Sequence, residues 1–130
     1  MRRAGQLIPE FVASLRLMTF CGEPLLPEHV EAIFLAKSDV KLHNTYGPTE
    51  ATVCCTALEL KPETWRQFAK TSMSIGRAIP NMHVELDKQS PQDQFGELII
   101  SGVQVADGYW EDTDTTAASF RFSSSHDWSN

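Results

Sequence analysis

Seven consecutive residues, Asn44-Thr45-Tyr46-Gly47-Pro48-Thr49-Glu50, concentrate the chemistry of this 130-residue chain. An amide can hydrogen-bond a base edge through its N–H groups and its carbonyl. A tyrosine ring presents a flat face on which a base can stack. Gly47 permits close approach of backbone to a ligand, Thr49 offers a hydroxyl to a phosphate, and Glu50 is the hard oxygen ligand that Mg2+ takes. The same string also reads as a plain turn leading into the next strand, because Gly-Pro interrupts regular structure. Residue chemistry alone leaves these two readings level.

The other reactive side chains make weaker patterns. Cys21, Cys54 and Cys55 are three thiols with neither a Cys-x-x-Cys pair nor a His-x-x-x-His to suggest zinc. Cys54 and Cys55 fall in residues 52–56, which read as a strand, so their side chains alternate and at most one faces a ligand. A buried structural thiol is the commoner case. His29, His43, His83 and His126 form no local catalytic pattern. Glu111, Asp112 and Asp114 read as a solvated loop and helix cap rather than a metal cluster.

Elements must place the central string. Residues 15–20 form a short apolar run stopped by Cys21-Gly22-Glu23-Pro24, a strand ending in a turn. In residues 27–37, Val30, Ile33 and Phe34 recur at helical spacing. Pro27 suits the first helical position, Glu28 and Glu31 favour the positive end, and Lys37 favours the negative one. Residues 41–46 return to strand-like content. Strand, helix and strand over about 30 residues make a βαβ unit with a parallel sheet. The string at 44–50 then stands at the carboxyl end of a strand, where open α/β sheets bind ligands. Residues 62–70 read as a short helix, residues 84–86 and 96–102 as strands about a polar turn at 90–94, and Asp114 as the cap of a helix to 120. The expected class is α/β: the end of a parallel-sheet layer over residues 1–76, a β-rich subdomain over 77–122, and an unstructured tail over 123–130.

Composition narrows the partners. Hydrophobic residues at 42% and charged residues at 22% are the balance of a folded chain, not a disordered one. The formal charge of −6 is carried almost wholly beyond Val84, where nine acidic residues face two basic ones. Nucleic-acid binders cluster Lys and Arg, and no cluster occurs, so nucleic acid is not an expected partner. No run approaches the roughly 18 apolar residues of a membrane span, and Pro9, Glu10 and Arg16 interrupt any leader-like stretch. Three thiols without a disulfide framework suit a reducing, cytoplasmic setting.

The central string resembles the Asn-x-Tyr-Gly-Pro-Thr-Glu motif of adenylate-forming enzymes, specifically amino-acid adenylation domains. Ile75-Gly76-Arg77-Ala78-Ile79-Pro80-Asn81 resembles their Ile-Gly-Arg-Pro-Ile-x-Asn segment. Gly96-Glu97-Leu98-Ile99-Ile100-Ser101-Gly102, followed by Val105-Ala106 and Gly108-Tyr109, resembles their Gly-Glu-Leu-x-Ile-x-Gly…Val-Ala-x-Gly-Tyr segment. Phe20-Cys21-Gly22-Glu23 is similar to the matching stretch of D-alanine–carrier protein ligases and peptide-synthetase modules. Three motifs in order make the resemblance specific, over residues 15–122.

The resemblance implies that ATP and an amino acid give an aminoacyl-adenylate and pyrophosphate. The acyl group would then pass to the phosphopantetheine of a carrier protein. By position, Asn44 would meet the adenine edge and Tyr46 its face, while Gly22, Glu23, Thr45 and Gly47 line the nucleotide site. Thr49 would contact the α-phosphate, and Glu50 would hold Mg2+ against the leaving group. Thr19, Cys21, Thr45, Val53 and Cys54 would form the amino-acid pocket, all uncharged, which suits a small or medium uncharged side chain. Ala78 replaces the usual Pro, and Asp107 stands where Arg is common. The family's phosphate loop, amine-anchoring Asp, Tyr-x-Thr-Gly-Asp motif and catalytic Lys are not in this sequence. The expectation is therefore an internal segment of a larger enzyme, inactive by itself. An acyl- or aryl-acid ligase of the same superfamily, or a non-catalytic truncated product that binds a synthetase partner, are the alternatives. Adenine stacking contributes about 1–3 kcal/mol, whereas a 1 mM dissociation constant requires about 4, so ATP is expected to bind no tighter than about 1 mM.

Overall fold

The computed structural model describes residues 14–121; the tail expected over 123–130 lies outside them. β1 (Leu17–Phe20), α1 (Pro27–Ala36) and β2 (Lys41–Tyr46) form the expected βαβ unit. β1 and β2 run parallel, with Leu17 opposite Lys41 and Phe20 opposite Asn44. Pro27 opens α1 with its φ already helical, Glu28 stands in the first turn, and Val30, Ile33 and Phe34 are buried along one face. Lys37 caps the far end by its backbone and turns its Nζ to Asp39 at 2.8 Å.

The parallel arrangement stops there. β3 (Thr56–Leu60) pairs antiparallel with β2, and the two-residue β4 (Arg77–Ala78) pairs antiparallel with β3, so the sheet is mixed in the order β1-β2-β3-β4. Of residues 52–56, only Thr56 is strand. Thr49–Ala51 forms a 3-10 turn, Thr52 and Val53 take φ of 52° and 73°, and β3 begins only at Thr56. Gly47 explains the detour. A Cβ there would lie 2.7 Å from Cys54 Cα, so the chain folds back onto Gly47 before it can extend. Cys54 and Cys55 thus precede the strand instead of alternating along it. The helix expected over 62–70 contracts to a 3-10 turn at Trp65–Phe68.

One face of the sheet carries the core. Met18, Phe20, Leu42, Leu58 and Leu60 pack with Val30, Ile33, Phe34, Trp65 and Met73. Leu42 is fully buried, and burying a leucine contributes about 1.5–3 kcal/mol. The opposite face is more open: Leu17, Thr19, Lys41 and Glu59 are exposed and His43 and Thr45 half-buried. Downstream, β5 (Met82–Asp87) and β6 (Glu97–Gly102) form an antiparallel hairpin, followed by α2 (Thr113–Ser119). The cap of α2 is Asp112, not Asp114: its carboxylate accepts from the Thr115 N–H at 3.0 Å and the Thr115 hydroxyl at 2.7 Å. Ala51, Cys55 and Met82 make a second core, with Ile79, Val84, Ile100 and Val105 against it. That core joins the hairpin to the 47–55 loop.

Candidate nucleotide and substrate site

A cleft of about 300 Å³ opens at the carboxyl ends of β1 and β2. Gly22, Glu23, Asn44, Thr45, Tyr46 and Gly47 line it, which are six of the seven residues expected at the nucleotide. Its size is at the lower end of ligand clefts, which run about 300–1,000 Å³. Strand geometry divides the labour. Successive side chains point to opposite faces, so Asn44 and Tyr46 share one face of β2 and Thr45 takes the other.

Neighbouring groups fix parts of the wall. Asn44 is 4% exposed, and its Nδ2 donates to the Ser74 carbonyl at 2.9 Å. One of its two N–H groups is spent on fixing the amide plane. Tyr46 closes the strand with its ring part-exposed and its carbonyl accepting the Cys55 N–H at 2.8 Å. Gly22 has φ of 92°, the left-handed turn that ends β1.

Thr49 and Glu50 do not line the cleft. They stand on the 3-10 turn that follows Gly47-Pro48, Thr49 exposed and Glu50 half-buried. The Tyr109 hydroxyl donates to Glu50 Oε1. That bond, with the Glu50 backbone amide second, holds the Glu50 carboxyl below the usual carboxylate range, and the same partner pushes the Tyr109 phenol up. Glu50 is therefore charged at neutral pH.

Of the residues expected at the amino acid, hydrogen bonds connect three, Cys21, Thr45 and Val53, around the end of β1. The Thr45 hydroxyl donates to the Phe20 carbonyl at 2.8 Å, and the Cys21 thiol donates to the Val53 carbonyl at 3.5 Å. Thr19 sits on the open face beside His43, Val53 is 66% exposed, and Cys54 is half-buried. Cys55 is sealed in the second core, where burial pushes its thiol up.

The residue pattern did not reveal Pro24, Leu25, Ser72 and Met73 in the cleft wall, nor the Ser74 carbonyl that orients Asn44. Residues 72–74 are a short polar loop without periodicity, and only the neighbouring Ile75 belongs to a motif. Tyr109 carried a signal, the third motif, but nothing in the spacing connected it to Glu50. A shallower hollow of about 610 Å³ lies beneath the β5–β6 turn, bordered by Asp87, Lys88, Asp93 and Phe95. None of the candidate residues reaches it, and its wall offers no converging chemistry.

Tyrocidine synthase 1 of Brevibacillus parabrevis is 34% identical over 118 residues, 88% of this chain and 10% of the synthase. The D-alanine–D-alanyl carrier protein ligase of Lacticaseibacillus rhamnosus is 35% identical over 104 residues, 78% of this chain and 20% of the ligase. Among solved structures, an NRPS protein containing adenylation and PCP domains superposes with a TM-score of 0.76 at 28% identity. It is covered over 88% of this chain and 24% of its own. The Vibrio cholerae adenylation domain AlmE, in complex with glycyl-adenosine-5'-phosphate, gives a TM-score of 0.69 at 27% identity, over 90% of this chain and 26% of its own. The chain thus spans between 10% and 26% of these four proteins, and its mixed sheet and helices share their fold. The AMP-binding enzyme family matches residues 4–110, and on that match the chain belongs to it.

Proposed function

We propose that this chain carries the adenine-side wall and the metal-holding carboxylate of an amino-acid-activating adenylation site. The observation that supports it is the cleft at the strand ends, where Gly22, Glu23, Asn44, Thr45, Tyr46 and Gly47 converge. Asn44 meets the adenine edge with its remaining amide atoms, and Tyr46 stacks on the base. Thr49 faces the α-phosphate. Thr19, Cys21, Thr45, Val53 and Cys54 surround the amino acid's side chain, small or medium and uncharged. The reaction is ATP plus amino acid to aminoacyl-adenylate plus pyrophosphate, followed by thioester formation on a carrier protein's phosphopantetheine.

The donor set fits Mg2+ of a particular kind. Among the described residues no three His, Cys, Asp or Glu converge as an all-protein cage. Mg2+ in nucleotide sites is commonly held by one or two carboxylates together with phosphate oxygens, and Glu50 supplies one charged carboxylate. When bound, the ion offsets charge on the pyrophosphate leaving group.

The test is a titration of the 15N-labelled chain with ATP and Mg2+, set against GTP. ATP is expected to shift amides at residues 22–25, 44–47 and 72–75 with a dissociation constant of about 1 mM or weaker. Asn44→Ala should abolish the preference for ATP over GTP. Shifts confined to the β5–β6 hollow, or equal responses to both nucleotides, would overturn the reading.

A further inference from the structure

We propose that Tyr109 is a positioning residue that fixes the Glu50 carboxylate with one oxygen presented to the metal–nucleotide complex. The inference rests on the reading of Glu50 as a metal ligand and adds a residue 59 positions away. The Tyr109 hydroxyl engages Oε1 and so fixes the carboxylate, whose remaining lone pairs can face the ion.

Tyr109 is itself braced. Its backbone N–H donates to Thr116 Oγ1 at 2.9 Å, and its ring meets Phe120 edge-on at 5.5 Å and 78°. Thr116 in turn donates to the Asp112 carbonyl at 2.7 Å, which ties the brace to the capped start of α2. Gly108 makes the approach possible. A Cβ there would lie 2.5 Å from Thr116 Cγ2, and its φ of 148° excludes most side chains.

A purely structural role, holding the 103–120 segment against the 47–55 loop, does not need this hydroxyl. The Ala106 N–H already donates to the Glu50 carbonyl at 2.7 Å, and the Thr52 hydroxyl to the Gln104 carbonyl at 2.8 Å. The Ala51–Cys55–Met82 core holds the same junction. What the phenol adds is a contact to one carboxylate oxygen.

The experiment compares ATP affinity with and without Mg2+ in the wild-type chain, Tyr109→Phe and Thr116→Val, by NMR titration. Phenylalanine keeps the ring against Phe120 and removes only the hydroxyl. In Tyr109→Phe the gain in affinity from Mg2+ should fall about 3- to 10-fold, the span of one net hydrogen bond, with Mg2+-free affinity unchanged. Thr116→Val should lose a smaller part of the same gain. An equal Mg2+ gain in wild type and Tyr109→Phe overturns the Tyr109 role alone. Equal weakening with and without the ion overturns it too, since that is what loosened docking would do. A wild-type chain that binds ATP in the cleft without any Mg2+ gain overturns the metal role of Glu50 and, with it, this proposal. ATP that does not bind the cleft overturns the functional reading as a whole.

Discussion

Asn44 shows how far a single residue's chemistry can be read and where it must be corrected. The sequence offers its amide to a base edge, yet half of its donor capacity goes to the Ser74 carbonyl inside the protein. Asn44→Asp should therefore destabilise the fold by about 2 kcal/mol, by facing a carboxylate with a carbonyl at a buried site. Chemical denaturation reads that loss before any nucleotide is added. Val53 carries a different tension. A β-branched residue at φ of 73° is an outlier, and such residues hold about 1–3 kcal/mol of strain. Asparagine tolerates that region and Val53 is mostly exposed, so Val53→Asn should raise stability by about 1 kcal/mol in thermal unfolding. Asp112 gives the pH response. Hydrogen bonds from the Thr115 N–H and hydroxyl lower its pKa in the folded state. The contribution is therefore present above the ordinary carboxylate pKa and lost as pH falls through the lower, folded one. The stability gap between wild type and Asp112→Ala should be constant above about pH 5 and narrow below about pH 4, in melting temperatures measured across pH. A gap that widens on acidification contradicts the cap.

At the scale of elements, the βαβ unit was the legible part. Helical spacing at Val30, Ile33 and Phe34, with Pro27 ahead of them, left little choice for α1, and the Lys41–Tyr46 strand emerged with its expected bounds. The loop after it was misread for a physical reason. Thr52 to Thr56 has the β-branched and small composition of a strand, but the backbone contact between Gly47 and Cys54 overrides that preference. Propensity sums local terms, and this fold-back is a tertiary one. The cap of α2 failed more narrowly, by two residues, because Asp112 and Asp114 are chemically equal and only the turn geometry chooses between them. Gly76 tests the junction of β3 and β4. At φ of 85°, an added Cβ would lie 2.1 Å from the Ala57 carbonyl oxygen. Gly76→Ala should cost about 2 kcal/mol or more. It should also speed amide exchange in Arg77–Ala78, while α1 remains protected. Unchanged exchange there would mean that β4 does not depend on this turn.

Across the described residues, two small cores lie on either side of the start of β3: one under β1–β3 and α1, the other between Ala51, Cys55 and the β5–β6 hairpin. Because the chain leaves the second core at Cys55 and enters the first at Leu58 and Leu60 of β3, the described residues should unfold as one unit. Leu42→Ala, deep in the first core, should lose about 2–5 kcal/mol and accelerate exchange in the hairpin as much as in α1. Separate midpoints for the two would contradict that coupling. Among the described residues no helix is long and apolar enough to cross a membrane. The alternation along β2 has a consequence for descent. On the proposed reading, Asn44 and Tyr46 meet the nucleotide, which is the same from one substrate to another, while Thr45 between them meets the acyl side. Under that reading a lineage could replace Thr45 and its neighbours Thr19 and Cys21 one at a time, trying new substrates, without disturbing the two residues proposed to hold ATP. The strand would then act as a partition between what must be kept and what is free to vary.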